Sequence, residues 1–204
     1  MKKITLALMA IAGLAGATTA FASDNGWYVF GAVGQSTNND KSPLDNALTS
    51  AGASGFSSSM STPTLYNLDV GYQFIKYFAV EGGYIGTNNP TYSASGGNLP
   101  GPVNVSDSVH GWDVKAVGIL PLGYQFSLLG KVGAADMSSS ATVTGPVGSA
   151  SVSGSKTDVT YGLGAEYDFT NAVLVRLDWD NYNIGDSNSS NRVNIWTVGV
   201  GYKF

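Results

Sequence analysis

The chain has 204 residues, of which charged residues make up only 12%, and its formal charge is −4. That length suits one domain or a small barrel, and few charges alongside 27 Gly and 11 Tyr argue against a disordered chain and against a basic nucleic-acid binder. Cysteine is absent, which excludes a disulfide framework and thiol catalysis.

At the N-terminus Lys2 and Lys3 precede an apolar run over 4–17 and the small-residue pattern Ala20-Phe21-Ala22. This pattern predicts a signal peptide over 1–22, cut after Ala22, and a single mature domain over 23–204. The run falls short of the ~20 residues a spanning helix needs. Without Lys2 and Lys3 the formal charge falls from −4 to −6. No later apolar run is long enough for a membrane helix, so a mature chain that crosses a membrane must do so as a closed barrel.

Eight strands are predicted. The first, 27–35, has an ambiguous phase, because Tyr28 and Phe30 compete with Trp27, Val29 and Val33 for one face. In the second, 64–74, Tyr66, Leu68, Val70, Tyr72 and Phe74 oppose Asn67, Asp69, Gly71 and Gln73. The third, 78–86, sets Val80 and Tyr84 against Ala79, Glu81 and Gly83. The fourth, 111–120, sets Trp112, Val114, Ala116 and Leu120 against Asp113 and Lys115. In the fifth, 126–137, Leu128 and Val132 oppose Lys131 and Gly133. The sixth, 159–169, places Tyr161, Leu163, Ala165, Tyr167 and Phe169 opposite Gly162, Gly164, Glu166 and Asp168. The seventh, 172–180, places Val173, Val175, Leu177 and Trp179 opposite Leu174, Arg176, Asp178 and Asp180. The last, 193–204, alternates Trp196, Val198, Val200, Tyr202 and Phe204 with Ile195, Thr197, Gly199, Gly201 and Lys203. Period-two alternation marks strands with two different faces, and each segment is near the ~9–11 residues of a tilted transmembrane strand.

The connections alternate. Short turns lie at 75–77, 121–125 and 170–171, and long Ser/Asn/Gly/Thr-rich loops are expected at 36–63, 87–110, 138–158 and 181–192. Short turns on one side and long loops on the other are the asymmetry of outer-membrane barrels, with both termini on the short-turn side. The lumen-type face collects Asp69, Glu81, Asp113, Lys115, Lys131, Glu166, Asp168, Arg176, Asp178 and Lys203, while the greasy face carries only Asp136. A Lys or Arg at the lipid midplane costs about 2–4 kcal/mol, so this segregation fits lipid outside and charge inside. Trp27, Trp112, Trp179 and Trp196 all sit near strand ends, as do Tyr202 and Phe204, which predicts two aromatic girdles. The predicted fold is all-β: an eight-stranded antiparallel up-and-down transmembrane β-barrel.

Three stretches, WYVFGAVGQS (27–36), GYQFIKYFAVEGGY (71–84) and GAEYDFTNAVLVRLDWDNYNIGD (164–186), make the chain similar to the OmpA-like family of eight-stranded outer-membrane barrels. The resemblance implies export to the outer membrane of a Gram-negative envelope, with the termini in the periplasm. It also implies a lumen crossed by carboxylate–arginine and carboxylate–lysine pairs. By position Glu81, Glu166 and Arg176 match those roles, with Asp178 beside them, and either Lys115 or Lys131 supplies the lysine. Lys115 sits further before Pro121 than the family's lysine does. Phe204 resembles the terminal signal read by the barrel-assembly machinery. The chain stops there, so the peptidoglycan-binding domain of the longer family members is expected to be missing.

Glu81 and Glu166 are the only glutamates. Paired carboxylates suit general acid–base work, but lumen charges in a narrow barrel need partners, so an ion-pair network with Glu81 on Arg176 and Glu166 on a lysine is the expectation. His110, with Ser106, Asp107 and Ser108, imitates a triad only in sequence proximity. One His and no Cys make a poor metal set, and no EF-hand spacing is present, so neither metal nor cofactor is expected. Gly-x-Gly at Gly162 and Gly199 lacks the following helix of a phosphate-binding turn and marks strand packing. The expected role is a structural, surface-interacting barrel that is not an enzyme. A small passive channel and a lipid-modifying rim enzyme stand as alternatives. Expected partners are outer-membrane lipid and lipopolysaccharide, the assembly machinery through the last strand, and host-cell, phage or cell-surface molecules through the loops. Nucleic acid is not among them.

Overall fold

The computed structural model describes residues 25–37, 41–146, 148–183 and 192–204. The expected signal peptide and residues 184–186 of the third family-like stretch lie outside them. Among the described residues ten strands and one helix follow in order: β1 (Gly26–Ser36), α1 (Ser42–Ser50), β2 (Ser57–Met60), β3 (Thr64–Ile75), β4 (Phe78–Thr87), β5 (Thr91–Ser95), β6 (Val103–Gly123), β7 (Phe126–Gly145), β8 (Gly148–Asp168), β9 (Val173–Asn183) and β10 (Arg192–Lys203). Eight of them close an antiparallel ring in the order β1-β3-β4-β6-β7-β8-β9-β10, and β10 returns to β1 through pairs from Tyr28↔Lys203 to Ser36↔Ile195. Closure leaves the ring without an unpaired edge. Among the described residues no helix is long and apolar enough to cross a membrane.

The alternation decides which side is which. Large apolar side chains face outward and stay exposed, including Trp27, Leu68, Val70, Trp112, Val114, Leu163 and Val198, whereas Asp69, Glu81, Lys115 and Arg176 are buried. A water-soluble barrel has the opposite arrangement. The ambiguous phase of β1 resolves with Tyr28, Phe30 and Ala32 inward and Trp27 and Val33 outward. Both faces of β1 are apolar because Tyr28 and Phe30 fill the lumen. The outward greasy span of β3, Tyr66 to Phe74, covers about 27 Å along the strand, close to the apolar band of a tilted outer-membrane strand.

The described parts of the long connections 36–63, 87–110 and 138–158 are more ordered than the sequence suggests, and residues 184–191 of the expected loop at 181–192 lie outside the described residues. β6 and β8 run for 21 residues each and β7 for 20, so 138–158 is not a loop but a hairpin arm that carries the sheet well beyond the ring. Segments 36–63 and 87–110 contain α1, β2 and β5, and β5 and β2 extend the sheet from the upper part of β6. These segments are poor in large apolar residues, which hides them from a hydrophobicity pattern; backbone pairing to a neighbouring strand holds them instead. α1 starts with Pro43 in its first turn and buries none of its residues. Tyr92 Oη donates to Asp45 Oδ1 at 2.6 Å and Lys41 Nζ to Ser58 Oγ at 2.9 Å, tying the helix to β5 and β2. At the opposite end β6 and β7 join through a two-residue turn in which Tyr124 (φ 51°) and Gln125 (φ 69°) both adopt left-handed backbone, as a type I′ hairpin requires.

Candidate functional site

The lumen is filled in tiers. Toward the short-turn end Tyr28, Ala79, Val117 and Leu129 pack together. Toward the long-loop end Leu65, Ile85, Ala135, Met137, Tyr182 and Ile195 form a second apolar layer. Between them lies a charged tier, because the inward positions of β3, β4, β6, β7 and β9 carry Asp69, Glu81, Asp113, Lys115, Lys131, Arg176 and Asp178.

Arg176 is the hub. Its Nη1 donates to Glu81 Oε1 at 2.5 Å, its Nε donates to Asp178 Oδ2 at 2.9 Å, and its Nη2 lies 3.6 Å from Asp69 Oδ2. The guanidinium also stacks on the Phe30 ring at 3.8 Å. A planar guanidinium suits this position, since it meets several carboxylates and an aromatic face at once. Lys131 Nζ lies 2.8 Å from Asp178 Oδ1 and 3.9 Å from Glu81 Oε2. Lys115 Nζ donates to Tyr182 Oη at 3.1 Å, Tyr182 Oη donates to Asp113 Oδ2 at 2.7 Å, and Lys115 lies 3.0 Å from the same Asp113 oxygen.

Glu166 corrects the expected lysine. Neither Lys115 nor Lys131 meets it; Lys203 does, with Nζ donating to Glu166 Oε1 at 3.1 Å and to Asp168 Oδ1. Glu166 lies toward the short-turn end, opposite Arg176 in the β8–β9 register, at the level of the last residues of β10. Lys115 and Lys131 are engaged higher up. The shear of a closed barrel sets these heights, and linear sequence does not display it.

Glycines make room for the crossing side chains. A Cβ at Gly83 would sit 2.0 Å from Asp69 Oδ1 and 2.9 Å from Asp113 Oδ1, and one at Gly164 would sit 2.3 Å from Asp178 Oδ1. Gly162 likewise gives its space to Asp180. These glycines alternate with charged residues along the hydrogen-bonding rows, as in Asp69–Gly83–Asp113 and Lys131–Gly162–Asp180. Sequence reasoning missed Tyr28 and Tyr182 as members of the network. Tyr182 continues the even-numbered inward phase of Arg176, Asp178 and Asp180, which was the available signal. The inner cavity bordered by Tyr28, Glu166, Arg176 and Lys203 measures only about 10 Å³, roughly room for one water.

On the outside, aromatics gather in two bands. Toward the short-turn end Trp27 meets Tyr72 at 5.1 Å, Tyr72 meets Phe74 at 4.8 Å, and Tyr202 meets Phe204 at 5.2 Å. Toward the long-loop end Tyr84 meets Trp112 at 4.8 Å, Tyr161 approaches Trp179 at 6.1 Å, and Trp196 pairs with Trp179 in register. His110 is exposed on the outward face with Ser106 and Ser108, whereas alternation puts Asp107 on the opposite face of the same strand. The sequence neighbours therefore do not converge. Among the described residues no group of three His, Cys, Asp or Glu is placed to hold a metal ion.

The family model for the outer membrane protein β-barrel domain matches residues 4–204. The chain belongs to this family. Its fold is that of small outer-membrane barrels: the attachment invasion locus protein Ail of Yersinia pestis, solved with the heparin analogue sucrose octasulfate, is 18% identical, with 89% of this chain and 100% of that one covered and a TM-score of 0.53. OprG from Pseudomonas aeruginosa is 14% identical over 91% of this chain and 99% of that one, with a TM-score of 0.50. No curated protein matches the chain in sequence. The protein is thus an eight-stranded barrel of the outer membrane, and its outward apolar rows face lipid.

Proposed function

We propose that this outer-membrane barrel is a closed structural protein that works through its exterior end, not as a conducting pore and not as an enzyme. The Arg176 hub carries this reading. Eight strands leave an interior just wide enough for side chains, and here the cross-lumen contacts of Arg176 are stacked between two apolar layers. Solute flux would require breaking buried pairs whose loss costs about 3–5 kcal/mol each. The aromatic bands serve as interfacial anchors. The long-loop end faces out and the termini face the periplasm after export of a chain cut behind Ala22. Phe204 serves the assembly machinery as its recognition residue.

The partners are the surrounding lipid and lipopolysaccharide and a cell-surface molecule met by the exterior sheet and α1. A sulfated polyanion of the kind named with Ail fits this chain poorly, since the exterior lysines Lys41 and Lys156 already lie against Asp45 and Asp158. Planar-bilayer recording of the refolded protein in molar salt tests the closed reading. A flat baseline is expected; steady, resolved unitary steps would make the protein a channel instead.

A further inference from the structure

The exterior arm has two unlike faces. On the face continuous with the lumen stand Val105, Asp107, Ala141, Val143 and Val152, while the face continuous with the lipid-facing rows is almost entirely hydroxyl. Its central rows read across the sheet as Ser108–Ser140–Ser153 and Ser106–Thr142–Ser151. Above Asp136 this face carries no carboxylate, lysine or arginine on β6, β7 or β8. The register from Asn104 to Leu120 on β6 is unbroken, as is the whole β7–β8 register, so the hydroxyl surface rises directly from the outward Trp112 without a bulge. Strand geometry sets the hydroxyls about 4.8 Å apart across the sheet and about 7 Å apart along it.

We propose that this face docks against the core saccharide of the surrounding lipopolysaccharide, a reading that rests on the outward orientation given above. Height is the first argument. The polar headgroup zone adds about 5–8 Å to each side of the hydrocarbon, whereas the hydroxyl rows climb about 27 Å along the strand above Trp112. Among membrane lipids, only a glycolipid reaches beside the upper rows. Chemistry is the second. Hydroxyls donate and accept, as sugar hydroxyls do. A face without Lys or Arg offers phosphate no charge to pair with, and one without large apolar groups offers nothing to acyl chains. It also lacks the aromatic and apolar anchors on which a protein partner would dock.

The test compares amide hydrogen exchange of 138–144 and 149–155 in nanodiscs containing lipopolysaccharide with its full core and in nanodiscs containing lipid A alone. The proposal expects exchange about fivefold slower with the full core, the factor that roughly 1 kcal/mol of added contact provides. The combined variant Ser140→Ala, Thr142→Val, Ser151→Ala, Ser153→Ala should lose that slowing. Val143→Ser with Val152→Ser, on the other face, should keep it. Equal exchange in both discs, or slowing that survives in the hydroxyl-free variant, overturns the proposal. So does equal slowing in detergent at high protein concentration without glycolipid, which would make the face a self-contact. A gel shift between unboiled and boiled samples shows for each variant that the barrel has formed. Failure of the docking in a formed barrel leaves the membrane reading standing.

Discussion

Tyr28 reaches Glu81 by lying over Gly71: the three residues are in register across β1, β3 and β4, and the Tyr28 hydroxyl donates to Glu81 Oε1 at 2.8 Å. A Cβ at Gly71 would stand 2.1 Å from Tyr28 Cζ, so any side chain there expels the ring from its path. The glycine is therefore part of the charged tier although it bears no charge. Gly71→Ala should cost about 1.5–3 kcal/mol, the range for a lost hydrogen bond to a charged group, and Tyr28→Phe should cost a similar amount. Adding Tyr28→Phe to Gly71→Ala should cost much less than the sum, because both remove one interaction. Thermal or urea unfolding of the three variants in detergent measures this, and full additivity would show that Gly71 acts some other way.

Asp45 gives the exterior a pH dependence. Hydrogen bonds from Tyr92 and Ser58, with help from Lys41, hold its carboxyl below the ordinary carboxylate range in the folded protein. A group whose folded value is depressed contributes stability above its unfolded pKa and loses it as pH falls through the folded one. The docking of α1 on β5 and β2 should therefore be constant near neutrality and weaken as pH falls below about 4. Exchange of the α1 amides followed from pH 7 to pH 3 should show this loosening, after correction for intrinsic rates. In Asp45→Asn the excess acceleration should disappear.

The ring was legible in the sequence for a physical reason: lipid on one side and packed charge on the other force strict alternation, as in β3, β8 and β10. β1 hid its phase because Tyr28 and Phe30 are apolar on the inward side as well. The arm was missed because 149–155 alternates Ser with Ala, Val and Gly, a true period-two pattern of low amplitude that resembles a polar loop. The Arg176–Glu81 contact joins residues 95 apart in sequence, and its two members could be nominated by face and sign alone. The Lys203–Glu166 contact likewise joins two residues on the lumen face, but which lysine meets Glu166 depends on the relative heights of β8 and β10 on either side of β9, which linear sequence does not display.

A substitution at Phe204 distinguishes a role in assembly from a role in stability. Its backbone N–H bonds Trp27 O at 2.9 Å and its ring meets Tyr202 edge-on. Phe204→Ala keeps the backbone bond and loses an aromatic pair worth about 0.5–1.5 kcal/mol beyond its area, too little to unfold a barrel. If the ring is the assembly signal, Phe204→Ala should lower the amount of barrel in the outer membrane severalfold while refolding in detergent stays near the parent level. Equal losses in both settings would reduce Phe204 to a packing residue.

Arg176 offers the sharpest test of the charged tier. Arg176→Ala removes the partner of Glu81, Asp178 and Asp69 together and uncovers the Phe30 ring, so it should cost about 3–5 kcal/mol, the penalty for stranding buried charge. Arg176→Lys restores the charge but neither the fork nor the stacking plane, and should recover less than half of that loss. Arg176→Ala with Glu81→Gln removes one stranded carboxylate and should be more stable than Arg176→Ala alone. That sign separates a charge network from simple cavity formation, because a second change in a merely packed core would lower stability further. Urea unfolding in lipid vesicles reads all three, and a double variant less stable than Arg176→Ala would remove the network from the account of this barrel.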